Sequence, residues 1–101
     1  MRIDVQAPYS ISEPLQELIE EKVKKLLVFY DRIQSAKVYL RDEIHRTNHK
    51  ETRKVEIELA LPGSTLYADA AAENFEKAVS NAAEKMRRQI RKLKTQQNDL
   101  H

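Results

Sequence analysis

At 101 residues, 41% of them hydrophobic, the chain is long enough for one domain with one core, and a single Gly and three Pro argue against a disordered or loop-rich polymer. The absence of Cys excludes a disulfide framework, a thiolate metal site and a cysteine nucleophile, and fits a reducing compartment. The formal net charge of +2 hides an uneven distribution: from Lys85 to Lys94, six of ten residues are basic and none is acidic.

The N-terminal residues Arg2-Ile3-Asp4-Val5-Gln6-Ala7 alternate with period two, as a half-buried strand does, until Pro8 disfavours a continued ladder. No signal-peptide core precedes them and no apolar run is long enough to span a bilayer, so a cytoplasmic protein without membrane attachment is expected. Ser12 is suited to cap a helix, with Pro14 tolerated in its first turn. Leu15, Leu18, Ile19, Val23, Leu26, Leu27 and Tyr30 then follow at the spacing of one helix face. Glu13, Glu17, Glu20 and Glu21 fill the first half, and Lys22, Lys24 and Lys25 the second. That order suits the helix dipole and predicts Glu20–Lys24 and Glu21–Lys25 pairs, in a helix ending near Tyr30.

Ala36, Val38 and Leu40 mark a second strand, with Lys37, Tyr39 and Arg41 on its other face. Residues 42–53 are polar and aperiodic and are expected to form an exposed loop. Val55, Ile57, Leu59 and Leu61 alternate with Glu56, Glu58 and Ala60 as a third strand. Pro62-Gly63 has the residues of a type II turn, and Leu66, Ala68 and Ala70 alternate with Tyr67 and Asp69 as a fourth strand that closes a hairpin. A long helix is expected from about Glu73 to Lys94, with Phe75, Val79, Ala82, Met86, Ile90 and Leu93 as its apolar stripe. Residues 95–101 are polar and are expected to fray.

The predicted order is β-α-β-β-β-α, an α+β fold in which a four-stranded mixed sheet carries both helices on one face, in a single domain over residues 1–101. The strand–helix–strand crossover implies a parallel first pair, followed by a meander. The opposite face would show Arg2, Asp4, Gln6, Lys37, Tyr39, Arg41, Glu56, Glu58, Tyr67 and Asp69 to solvent or to a polar partner.

The basic helix end is the strongest functional signal. At about 100° per residue, Lys85 and Lys92 flank one side of the apolar stripe, Arg87, Arg91 and Lys94 the other, and Arg88 stands opposite. Docking the stripe on the sheet leaves a cationic surface suited to phosphate, since Arg offers a planar fork and Lys a point charge. The same residues also read as a solvated helix end that complements the dipole. The number of cations without an acidic neighbour favours a polyanion site. Tyr39 and Tyr67 are ordinary strand residues on this reading, because the signature of aromatic RNA-binding sheets is missing.

His45 and His49, near Asp42 and Glu43, lack a second ligand pair for a metal. With Arg46, Lys50 and Arg53 they form either a cationic loop or a plain solvent loop. No Gly-rich phosphate loop, nucleophile elbow or distinctive carboxylate pair is visible, so neither enzymatic activity, a cofactor nor a small-molecule substrate is expected.

Over nearly its whole length the sequence resembles the ribosome hibernation-promoting factor and ribosome-associated translation inhibitor family. Three stretches carry the likeness. The first is Glu21-Lys22-Val23-Lys24-Lys25-Leu26 running into Phe29-Tyr30-Asp31-Arg32-Ile33. The second comprises the strands Ala36-Lys37-Val38-Tyr39-Leu40 and Val55-Glu56-Ile57-Glu58-Leu59. The third, and most specific, is Glu84-Lys85-Met86-Arg87-Arg88-Gln89-Ile90-Arg91-Lys92-Leu93-Lys94, similar to a family helix end with Met86 and Ile90 as apolar equivalents.

The resemblance implies a fold similar to double-stranded RNA-binding domains. It also implies binding to the small ribosomal subunit, with its 16S-type rRNA, in the path of tRNA and mRNA, silencing bacterial ribosomes in starvation or stationary phase. It carries over Lys85, Arg88, Lys92 and Lys94 as rRNA contacts, together with Lys22 and Lys25 on the first helix. Arg87 and Arg91 match no fixed basic position and rest on charge alone. Ala70-Ala71-Ala72-Glu73-Asn74-Phe75-Glu76 departs from the Gly and Asp-x-Tyr stretch of many members. Ending at residue 101, the chain is expected to be a short form, monomeric when free. Two alternatives from the residues themselves are a protein-interaction module whose basic helix docks on an acidic partner and a general binder of double-stranded RNA.

Overall fold

The computed structural model describes residues 2–44 and 51–99. Five residues of alternating character, Arg2–Gln6, form β1, and helix α1 follows over Glu13–Phe29. Ser12 caps it: its Oγ accepts from the Leu15 N–H at 3.3 Å, satisfying one of the donors that a helix start leaves unpaired. Leu15, Ile19, Val23 and Leu26 are the buried residues of α1, on the face that its apolar spacing predicts.

Strands β2 (Ser35–Ile44), β3 (Glu51–Leu61) and β4 (Ser64–Ala72) come next, and helix α2 spans Phe75–Asp99. The sheet order is β1-β2-β3-β4, with β1 parallel to β2 and both later pairs antiparallel. The expected topology, with its parallel first pair and meander, is therefore the observed one. Leu61 pairs with Ser64, leaving Pro62 and Gly63 as the two turn residues, with Gly63 at φ 77°. Proline fixes a negative φ at the first position and glycine supplies the positive one, which is the requirement of a type II turn.

Two boundaries differ from the sequence reading. The segment expected as a loop over 42–53 is strand at both ends, since β2 runs to Ile44 and β3 starts at Glu51. The extension is held by polar cross-strand partners: Asp42 stands opposite Arg53, whose Nε lies 2.8 Å from Oδ1 of Asp42. Helix α2 also continues to Asp99, so the polar segment from Thr95 is helical to that point, where fraying was expected. No Gly or Pro interrupts it, and extending an existing helix costs far less than starting one. Asn74 caps its start, its Oδ1 accepting from the Lys77 N–H at 2.8 Å.

The core lies between the helices and one sheet face. It unites Ile19, Val23 and Leu26 from α1, Val38, Val55, Ile57 and Leu59 from the sheet, and Val79, Ala82, Met86 and Ile90 from α2. Each fully buried Val, Leu, Ile or Met side chain contributes about 1.5–3 kcal/mol relative to exposure. Ile90 is the last buried residue of α2 through Gln96, and half-buried Leu93 packs against the core beyond it. The exposed face of the sheet carries the polar residues that alternation assigned to it, joined by Lys54, which lies 3.7 Å from Asp69.

Candidate nucleic-acid interface

Helices α1 and α2 lie side by side on the sheet, and this places the basic half of α1 against the basic end of α2. Between them runs a groove of about 460 Å³ lined by, among others, Lys22, Lys25, Phe29, Glu84, Arg87 and Lys94. The residues on this groove come from opposite ends of the sequence, and the apolar faces that pack both helices on one sheet bring them together. Val28 at its edge is 88% exposed, an apolar side chain set among cations.

The eight residues expected from the sequence do not form one uniform patch. Lys22, Lys25, Arg87 and Lys94 converge on the interhelical groove. Arg88, Arg91 and Lys92 are exposed on α2. Lys85 lies on the other flank, in a depression over β4 shared with Glu56, Tyr67, Asp69 and Gln89. There Gln89 Nε2 donates to the Tyr67 carbonyl at 2.6 Å, tying α2 to the edge strand. Lys85 therefore shares its depression with two carboxylates, Glu56 and Asp69, whereas the groove is lined by four cations and one carboxylate, Glu84.

Local ion pairs modulate this surface. Lys25 Nζ is 3.2 Å from Glu21, as expected, while the predicted Glu20–Lys24 pair is not formed. Glu84 Oε1 is 3.6 Å from Arg87 Nη1 and 3.7 Å from Arg88 Nε. All these groups are substantially exposed, and such pairs contribute only about 0–1 kcal/mol, so phosphate can exchange for carboxylate at little expense. Lys22, Lys85, Arg91 and Lys92 have no acidic partner within ion-pair distance among the described residues.

Two participants escape a reading of the basic run alone. Glu84 lies one residue outside it, yet its spacing of three and four to Arg87 and Arg88 is the signal for a helical pair. Phe29 falls off the apolar stripe of α1 and has no local signature, but both Arg87 and Lys94 lie over its ring, at 5.4 Å and 4.5 Å from the centroid.

The opposite sheet face has a different electrostatic character. A depression there is lined by Arg41 and Lys54 but also by Glu56 and Glu58, beside Tyr39. The phenol of Tyr67 titrates above its usual range because it hydrogen-bonds to Glu58 and feels that carboxylate's charge. A polyanion would meet both signs here, and mainly positive charge along the C-terminal half of α2. Among the described residues no group of His, Asp and Glu could hold a metal ion, while His45, Arg46, His49 and Lys50 lie outside the described residues. No described helix is long and apolar enough to cross a membrane.

Comparison with known proteins agrees with this architecture. The family model for Sigma 54 modulation protein / S30EA ribosomal protein matches residues 4–98. The ribosome hibernation promotion factor of Deinococcus radiodurans is 34% identical over 85 residues, covering 84% of this chain and 44% of that protein, so the chain spans less than half of that relative's length. The ribosome hibernation promoting factor of Pseudomonas putida is 28% identical over 101 residues, 99% of this chain and 93% of that protein. The solved structure of a ribosomal subunit interface protein from Coxiella burnetii superposes with a TM-score of 0.79 at 27% identity, covering 94% of this chain and 99% of that one.

Proposed function

The chain belongs to the Sigma 54 modulation protein / S30EA ribosomal protein family, and on that premise we propose that it is a ribosome hibernation factor, binding the small subunit through rRNA phosphates and blocking the tRNA and mRNA sites. The observation that carries this reading is the convergence of Lys22, Lys25 and Arg87 on one groove, continued by exposed Arg88, Arg91 and Lys92. Phosphate contacts of this kind position a protein by backbone shape rather than base sequence.

Inhibition on this reading is steric. The helical layer grips the rRNA backbone, and the folded body fills space that tRNA and mRNA need. No covalent step or cofactor takes part. Lys85 shares its depression with Glu56 and Asp69, so a phosphate there meets carboxylates of the sheet, whereas Arg88 and Lys92 are exposed on α2.

Co-sedimentation with purified small subunits tests the reading. Near-stoichiometric binding at moderate salt, reversed by tRNA, supports it; binding that persists beside saturating tRNA would mean a site elsewhere. Free duplex RNA of equal charge should compete poorly, because a general double-stranded RNA binder would not distinguish it from the ribosome. Survival of the complex after nuclease digestion would instead favour an acidic protein partner.

A further inference from the structure

Helix α1 has no cation of its own in its last turn. The last four carbonyls of a helix lack intrahelical partners and carry the negative end of its dipole. The Tyr30 N–H donates to the Leu26 carbonyl at 2.9 Å, closing part of that end. The Phe29 carbonyl accepts instead from Lys94 Nζ at 3.0 Å, a bond between residues 65 positions apart. The same ammonium lies 4.5 Å from the centroid of the Phe29 ring.

The geometry points to Lys94 as a positioning residue rather than a phosphate ligand: it pins the end of α1 to α2 and thereby sets the width of the cationic groove. This inference rests on the ribosome-binding reading and assigns a division of labour within that site. A lysine swung out to phosphate would leave the Phe29 carbonyl without this donor and take its charge away from the negative end of the α1 dipole. Lys25 and Lys22 lie one and two turns before Phe29, so fixing Phe29 fixes where they stand relative to Arg87. Arg87 also contacts the ring, at 5.4 Å, and shares the groove with both lysines.

The test is the affinity of the full chain for purified small subunits across a salt series, for the unmodified protein, Lys94→Met, Lys25→Met, Phe29→Leu and the Lys94→Met/Phe29→Leu pair. Methionine keeps the apolar stem and removes the charge. Lys94→Met should weaken binding about two- to fivefold, the factor corresponding to a cation at a helix terminus, with an unchanged salt slope. Lys25→Met should lower the slope by about 0.7–0.9, as loss of one phosphate contact does. The pair should lose less than the product of its single effects, because both changes release the same contact.

A salt slope for Lys94→Met that falls as far as that of Lys25→Met, with effects multiplying in the pair, overturns the inference and makes Lys94 a ligand. An affinity that does not change on removing Lys94 overturns it too. Failure of the unmodified protein to bind small subunits at low salt is a different result, which refutes the ribosome reading. The pin itself is then judged by thermal unfolding: midpoint shifts that add in full contradict it, and overlapping shifts retain it.

Discussion

Glu84 Oε1 stands 3.7 Å from Arg88 Nε, so a carboxylate one residue before the basic run is paired with an arginine that is 73% exposed. It also lies 3.6 Å from Arg87. Glu84→Gln should therefore strengthen rRNA binding, since both guanidinium groups are released and a negative charge is removed. An increase of up to about fivefold at low salt is expected, matching the modest strength of exposed pairs. Equilibrium binding to small subunits measures it, and the difference should shrink as salt rises.

Arg88 is 73% exposed and Lys92 is exposed as well, so neither holds the core. Arg88→Glu combined with Lys92→Glu should abolish co-sedimentation with small subunits. Circular dichroism and the unfolding midpoint should stay near those of the unmodified protein. Unchanged affinity in a folded double variant would count against the helical layer as the binding surface.

Stability should respond at two unlike places. Ile90 is fully buried, and Ile90→Ala should cost about 2–5 kcal/mol through lost transfer energy and a cavity. Gly63 has open space around its Cβ position but a φ of +77°, so Gly63→Ala should cost about 1 kcal/mol through backbone strain alone. Denaturant unfolding distinguishes the two magnitudes.

The phenol of Tyr67 is raised above its ordinary value by its hydrogen bond to Glu58, followed by that carboxylate's charge. Glu58→Gln should bring its absorbance titration to lower pH. The sign for stability follows from linkage. A raised folded-state value contributes stability below the unfolded value near 10 and loses it as pH rises through the folded value. Unfolding measured from pH 9 upward should show that decline, reduced in Glu58→Gln.

Most of the fold was legible because strand and helix periodicities differ and each element has its own apolar stripe. The extension of β2 and β3 was not, because Asp42 and Arg53 are polar and their pairing is visible only once the strands are aligned. Continuation of α2 past Lys94 adds no apolar contact that periodicity could detect. The basic residues of α2 were legible as a charge run, and helical angle separated Lys85 from Arg87 and Lys94. Lys22 and Lys25 came only from the family resemblance, and their meeting with Arg87 and Lys94 in one groove was not legible. Helical angle puts Lys94 and Lys92 on opposite flanks, but nothing local gives Lys94 its partner, the Phe29 carbonyl, brought near by two helices packing on one sheet. Likewise the carboxylates beside Lys85 belong to β3 and β4, far from it in sequence.

The central claim is that phosphate contacts from the helical layer hold the protein on the small subunit. Its most direct measurement is the dissociation constant for purified small subunits between about 50 and 200 mM salt, where neutralising about six phosphates should weaken binding roughly a thousandfold along a straight log–log line. That steep dependence, flattened by Arg88→Glu with Lys92→Glu, is the predicted result. Tight binding that is indifferent to salt, or no binding at the low end by the folded protein, would contradict the account.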